Sequence, residues 1–255
     1  MNYIISASTD KGLVKDTNQD SLFVRTVKTA NGRMVLAVLC DGMGGLAKGE
    51  VASAAVVSAF TDWMNSHLPS LSQNTIEDSA IRAGWDAIVT EQNAKIQNYG
   101  SQVGVSLGTT VTALLLTDRR YYIMNVGDGR VYEITDSIKQ ITNDQTVVAN
   151  DVANGVMTQE QAEADPRRNV LLQCVGASET VVPDFFYGDT KQNAVYMLCS
   201  DGFRHEIKPH EILNAFQPSQ MMSAQAMKAQ ADGLIELNKQ RKEEDNISVI
   251  TIRTF

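Results

Sequence analysis

Met34-Val35-Leu36-Ala37-Val38-Leu39-Cys40 runs straight into Asp41-Gly42-Met43-Gly44-Gly45. Seven apolar residues in a row have the length of a strand and fall far short of the ~20 that a membrane helix needs. Just before them stands Asn31-Gly32, a hairpin signal because both central positions of such a turn need positive φ. Residues 21–27 and 33–40 therefore read as strands on either side of a turn, with a further strand over 3–8. The spacing turns helical over 47–64. There Val51, Ala54, Ala55, Val57, Ala59, Phe60 and Trp63 form a broad apolar face, and Ser53 falls among the polar positions. A second long helix is predicted over 74–99, with Ile76, Ala80, Ile81, Trp85, Ile88, Ile96 and Tyr99 inward. Core packing explains both helices, and neither is assigned chemistry.

Further along, 109–117, 121–126 and 130–134 read as three strands joined by Asp118-Arg119-Arg120 and Gly127-Asp128-Gly129. The β pattern lapses between Asp144 and Gly176. Residues 146–153 read as a short helix stopped by Asn154-Gly155, and Thr158 with Gln161 makes a capping box for another. Residues 144–176 are thus a small helical insert in a β framework. Strands return at 183–187 and 194–199, a Met- and Ala-rich helix is expected over 219–237, and 246–253 closes as a strand. Hairpin-style connections outnumber strand–helix–strand crossovers. That favours an α+β class of antiparallel sheets covered by helices over a doubly wound parallel sheet. No repeat and no Pro- or Ser-rich linker divides the chain, so residues 1–255 are expected to form one domain.

Composition excludes several functions. A chain of 255 residues, 43% hydrophobic, is long enough to bury a sizeable core. Thirty acidic against 22 basic side chains leave a net charge of −8, which argues against nucleic acid or an anionic membrane as a partner. No positively charged start with an apolar segment precedes Tyr3, so no signal peptide is readable and a cytoplasmic protein is expected. Cys40, Cys174 and Cys199 are odd in number and lack C-x-x-C spacing, as structural, reduced thiols would be. Cys40 beside Asp41 has no phosphate loop with arginine after it, so it is not read as a nucleophile.

The chemistry lies in the aspartates. Three times an apolar strand delivers an aspartate followed by glycine: Asp41-Gly42, Asp128-Gly129 and Asp201-Gly202. Asp20 precedes the second strand and Asp245 the last. Asp-Gly alone is simply a good turn, and Asp232-Gly233 illustrates that use. If several of these carboxylates converge, each pair ~4 Å apart repels by about 4 kcal/mol at an effective dielectric of 20, a cost that a divalent ion removes. The candidate ligands are all oxygens, and His67, His205 and His210 have no metal-ligand spacing, so Mg²⁺ or Mn²⁺ is indicated over Zn²⁺. The glycine after Asp41 lets the backbone approach an ion, so the Gly42 carbonyl is a candidate ligand.

The order of motifs resembles the type 2C metal-dependent Ser/Thr protein phosphatases (the PPM family), bacterial branch. The matching pieces are Gly12 to Ser21, Asp41-Gly42-Met43-Gly44-Gly45, Leu107-Gly108-Thr109-Thr110, Asn125 to Tyr132, Cys199-Ser200-Asp201-Gly202 and Asp245-Asn246-Ile247-Ser248. Residues 166–171 also resemble the end of the mobile flap of bacterial members. The resemblance implies a four-layer α-β-β-α sandwich with a flap at about 144–176, and two divalent cations, Mn²⁺ or Mg²⁺, in a cleft at one end. Asp41 would bridge the two, with Asp201 and Asp245 completing the first. The Gly42 carbonyl and water held by Asp20 would complete the second. Asp128 with Asp201 would match a weaker third site, and Lys15 stands where the family usually has a phosphate-gripping arginine. A metal-bridging hydroxide would attack the phosphorus of phosphoserine or phosphothreonine directly.

Several positions depart from that pattern. Lys15 keeps the charge but loses the bidentate fork. Gln19 replaces a metal-side glutamate of many eukaryotic members, Met43 a histidine proposed as general acid, and Gly129 the usual serine after Asp128. No core aspartate is missing. The implied partners are phosphorylated proteins, substrates of a Ser/Thr kinase, acted on by a monomer. The alternatives are a phosphatase-like sensor or binding module, favoured only by Lys15 and Gln19, and a two-metal nuclease, which the net charge disfavours.

Overall fold

The computed structural model describes residues 1–29, 32–44, 48–68 and 76–255. Asn31 of the expected turn, Gly45, and the expected helix starts at Ala47 and Asn74 lie outside the described residues. In chain order the strands are β1 (Tyr3–Asp10), β2 (Asp20–Thr29), β3 (Gly32–Gly44), β4 (Leu107–Thr109), β5 (Val111–Leu116), β6 (Arg120–Val126), β7 (Arg130–Ile134), β8 (Ile138–Gln140), β9 (Asp184–Asp189), β10 (Val195–Cys199) and β11 (Ile247–Thr254). The helices are α1 (Gly49–Ser66), α2 (Asp78–Val103), α3 (Val147–Ala153), α4 (Gln159–Ala164), α5 (Asp201–Arg204), α6 (Pro209–Ala215) and α7 (Ala224–Gln240).

Two antiparallel sheets result. One has the order β1-β11-β10-β7-β8; the other runs β2-β3-β5-β6-β9, with β4 paired to the end of β3. The long apolar run of β3 needs no polar alternation because both of its faces are covered. Val35, Ala37 and Leu39 face the other sheet and share a core with Leu114, Tyr196, Leu198 and Ile250. Leu36, Val38 and Cys40 face outward onto Phe60 and Trp63 of α1 and Trp85 of α2. On the far side Val195, Met197, Cys199, Ile247 and Val249 pack on Phe203, Ile212, Met227 and Leu234. Helix, sheet, sheet, helix is the expected α+β sandwich. Among the described residues no helix is long and apolar enough to cross a membrane.

Four expectations need correction. Gly127-Asp128-Gly129 joins its two strands as expected but is not one of the hairpin-style connections, since β6 and β7 belong to different sheets and the segment carries the chain between them. Alternation says which side chains are buried but not which sheet a strand joins. The 109–117 strand is two, parted at Thr110, whose N–H bonds to Asp41 O and not along the strand (2.9 Å). The buried stripe of α1 is Ala52, Ser53, Val56, Phe60, Trp63 and Met64, while Val51 is 39% exposed. Ser53 is inside because its hydroxyl donates to Gln19 O (2.6 Å) and lies 2.9 Å from Ser21 Oγ. Finally, the 219–237 helix begins later. Pro218–Gln220 forms a 3₁₀ turn, and Ser223 caps α7 by accepting from the Ala226 N–H (3.1 Å). The two helices of the insert form where Thr146 and the Thr158–Gln161 capping box predict them.

Candidate active site

Asp20 opens β2, and Asp41 lies opposite it in the β2–β3 ladder. Strand β3 does not stop at Cys40: it runs through Asp41 because Gly42, Met43 and Gly44 pair with Thr109, Gly108 and Leu107. Thr109 and Thr110 hold the aspartate's main chain. The Asp41 N–H donates to Thr110 Oγ1 (3.0 Å), while the Thr110 N–H and the Thr109 hydroxyl donate to Asp41 O (both 2.9 Å). Gly42 must be glycine, since a Cβ there would collide with Gly49 O and lie 2.6 Å from Gln19 O. With its carbonyl turned to the Gly49 N–H (3.2 Å), the Gln19 amide donates to Gly42 O (3.1 Å) and ties β2, β3 and α1 together.

The other sheet supplies Asp201 and Asp245. Asp201 begins α5 after β10, and Asp245 stands two residues before β11. Ser200 and Ser248 stitch the two strand ends: the Ser200 N–H donates to Ser248 O (3.1 Å) and the Ser248 N–H to Ser200 Oγ (3.0 Å). Asp128 lies in the crossing between the sheets and is 4% exposed. The Gly129 departure has a local cause, because a Cβ at that position would collide with the Thr112 hydroxyl, which donates to Asn125 Oδ1 (2.7 Å).

These carboxylates act on one another. Burial holds Asp41 well above the usual carboxylate range, and Asp20, Asp201, Asp128 and Asp245 all push it further. Asp20 is pushed up to about 7, first by burial and then by Asp201 and Asp245. Asp128 is pushed up to about 7 by burial and Asp201, with Arg204 opposing. Among the described residues no three acidic, imidazole or thiol side chains form a ready-made cage for an ion. Three carboxylates face basic side chains instead. Lys15 Nζ is 2.8 Å from Asp245 Oδ1, His205 Nε2 3.4 Å from Asp201 Oδ2, and Arg204 Nη2 3.2 Å from Asp128 Oδ2. The donor set nevertheless suits a hard cation. Oδ1 of Asp201 is buried without a hydrogen-bond partner, and the buried oxygens of Asp20 have only the hydroxyls of Ser248 and Ser200 near them and no well-formed bond, a costly state that an oxygen-seeking ion relieves.

Other residues shape the site through partners that the sequence does not signal. Asn246 accepts from the Gln19 N–H (2.9 Å) and donates to Lys11 O (2.9 Å) and Thr17 O (3.1 Å), so it folds the loop carrying Lys15. Glu243 Oε2 is 3.2 Å from His205 Nδ1, while its Oε1 accepts from the Asp245 N–H (2.9 Å). Asp144 receives a two-pronged grip from Arg130 (2.8 and 2.6 Å). Both ends of the insert touch the site: the Gln145 N–H donates to Gly127 O (3.0 Å), and Val175 pairs with Thr109. An open groove of about 640 Å³, lined by Gln145, Leu172, Gln173, Val182 and Asp184 among others, lies beside the insert and not over the carboxylates. The three cysteines are free and buried, and burial holds the Cys40 thiol well above its ordinary range, unlike a reactive thiolate.

Comparison with known proteins identifies a family. The Protein phosphatase 2C family profile matches residues 13–239. The serine/threonine protein phosphatase PstP of Mycobacterium tuberculosis is 32% identical over 246 residues, which are 96% of this chain and 44% of that protein. The chain thus spans less than half the length of this relative. The crystal structure of the serine/threonine phosphatase Stp1 from Staphylococcus aureus superposes with a TM-score of 0.83 at 27% identity, covering 98% of this chain and 94% of that one. That of the catalytic domain of PstP in complex with two manganese ions gives 0.78 at 28% identity, covering 99% of each. On the family match, which spans most of its length, the chain belongs to the protein phosphatase 2C family.

Proposed function

We propose that this chain is a metal-dependent protein phosphatase acting on phosphoserine and phosphothreonine. One observation carries the reading: Asp20 and Asp41 from one sheet lie close enough to Asp201 and Asp245 of the other to act on one another's charge, and Oδ1 of Asp201 is buried with no hydrogen-bond partner. Asp41, Asp201 and Asp245 would hold one divalent cation. Asp41, the Gly42 carbonyl and, through water, Asp20 would hold a second, Mn²⁺ or Mg²⁺. Bound there, such a pair lowers the pKa of a water and polarises a phosphoryl oxygen, giving direct hydrolysis without a phospho-enzyme.

The chain's own groups do the rest. Lys15 is the cation that grips the phosphate, exchanging its Asp245 partner for phosphoryl oxygens, and it is 42% exposed and so reachable by a substrate. Asp20 is held above the usual carboxylate range in the metal-free chain, first by burial, and a bound cation would restore its charge and let it orient a water. Thr109 and Thr110 keep Asp41 from moving as charge develops. Substrates would be proteins phosphorylated by a Ser/Thr kinase. A monomer in the cytoplasm, folded as one domain over 1–255 with a flap at 144–176, completes the proposal. The test is phosphate release from a phosphopeptide across Mg²⁺, Mn²⁺ and Ca²⁺, alongside Asp201→Asn. Turnover with Mn²⁺ or Mg²⁺ that the variant loses is expected; no turnover of any phosphoester with Mn²⁺ would overturn the reading.

A further inference from the structure

Arg204 is a deeply placed guanidinium near the site. It ends α5, the short helix that Asp201 begins, so three residues' spacing puts both side chains toward the same side. Its side chain is 11% exposed, and a single nitrogen, Nη2, sits among three oxygens: Asp128 O at 3.0 Å, Asp128 Oδ2 at 3.2 Å and Asp144 Oδ2 at 3.3 Å. Nη2 carries only two hydrogens, so it serves these oxygens largely as a point of charge. The arrangement is costly, since Arg204 Nε is buried without a partner. Asp144 cannot turn away to another position, because Arg130 grips both of its oxygens.

We propose that the Arg204 guanidinium stands permanently where a further metal ion would otherwise bind at Asp128, so that Asp128 is its counter-ion and the chain holds two divalent ions, not three. This departs from the third site that the family resemblance implies for Asp128 with Asp201, and it rests on the phosphatase reading for the other two ions. The physical reasons are three. A guanidinium does not lose its proton in the protein, so its charge is constant at any working pH. A divalent ion needs oxygens at about 2.0–2.6 Å, and one of the two Asp128 carboxylate oxygens, Oδ2, already faces Nη2 at 3.2 Å, as does the Asp128 carbonyl at 3.0 Å. Any ion placed beside the guanidinium is also repelled by it. Asp201 is unaffected, because its Oδ1 has no partner in the chain.

The experiment is a count of bound Mn²⁺ by electron paramagnetic resonance and by calorimetry on the full chain, with thermal melting to check folding. The wild type should saturate at two ions, and Asp128→Asn should still bind two. Arg204→Gln should gain a third, weaker ion that Arg204→Gln/Asp128→Asn loses, while Arg204→Lys, which keeps a cation, should stay at two. Three ions in the wild type falling to two in Asp128→Asn would overturn the inference, and that comparison needs no Arg204 variant to fold. So would an Arg204→Gln protein that melts cooperatively yet binds only two. No Mn²⁺ bound by the wild type would instead bring down the phosphatase reading itself.

Discussion

At the residue scale the carboxylates are in tension with the fold that carries them. Asp41 is buried among Asp20, Asp201, Asp128 and Asp245, and every one of them works against its ionised form. Replacing it by Asn removes the central charge of the cluster at little cost in volume. Asp41→Asn is therefore expected to raise the stability of the metal-free chain by about 1–2 kcal/mol while abolishing turnover and the Mn²⁺-induced rise in Tm. Denaturant melts with EDTA and with Mn²⁺ check both halves, and a destabilised metal-free variant would contradict the electrostatic account. The same tension has a pH signature. Folded Asp20 and Asp128 titrate near 7, against about 3.9 for an unfolded aspartate. Between those values the folded chain keeps protons that the unfolded chain has released, so stability falls as pH rises from about 4 to about 7. Without metal, Tm should be higher at about pH 5.5 than at about pH 7.5, and Mn²⁺ should narrow or invert the gap; a metal-free Tm that rises over this range would count against it. For Lys15, whose ammonium meets a carboxylate at one point, Lys15→Ala should raise KM for a phosphopeptide about tenfold, the size of one charge-assisted contact. Lys15→Arg, with its two-pronged fork, should recover most of that loss. An unchanged KM in Lys15→Ala would assign phosphate binding elsewhere.

At the scale of elements the site depends on a loop held by one side chain. The segment between β1 and β2 has no regular structure over residues 11–19, and Asn246, 2% exposed, is bonded to its main chain at Lys11, Thr17 and Gln19. Asn246→Ala leaves two carbonyls and one N–H without these partners, a loss of about 2–3 kcal/mol. The loop would stay attached through β1 and β2, so the expected result is a folded but less stable enzyme. Lys15 would be less well placed, with KM raised more than kcat is lowered. Urea denaturation with steady-state kinetics separates the two effects, and a variant that loses stability with no change in KM would show that Asn246 serves the fold alone. The motif Asp245-Asn246 was readable in the sequence, but the second residue's task was not, because its three partners lie 227 to 235 positions away. Likewise Arg204, Asp144, His205 and Glu243 look like ordinary surface charges in the chain. Only tertiary packing makes them internal, and no periodicity marks that.

Across the whole molecule, what was legible follows from period and adjacency. Continuous apolar runs identify β3 and β10, and an aspartate follows closely on each, Asp41 within the end of β3 and Asp201 at the start of α5, so the candidate ligands could be named. Three-dimensional neighbours were not: the crossing at Gly127-Asp128-Gly129, the pairing of β4 with Gly42 to Gly44 and the buried face of Ser53 depend on which sheet or helix arrives from elsewhere. This division has a consequence for the molecule's mechanics. Asp20 and Asp41 belong to one sheet, while Asp201 and Asp245 border strands of the other. Ions held by all four would join two layers whose shared interior is apolar, and binding to the folded state alone stabilises by about 2.7 kcal/mol at one hundred times Kd. Mn²⁺ should therefore slow amide hydrogen exchange together at Asp41 to Met43 and at Ser200 to Phe203 and Asn246 to Ser248. Asp201→Asn should lose the effect on both sheets, not only on its own. If Mn²⁺ protects the end of β3 while β10 and β11 exchange as before, one sheet alone holds the ions and the two sheets share no centre.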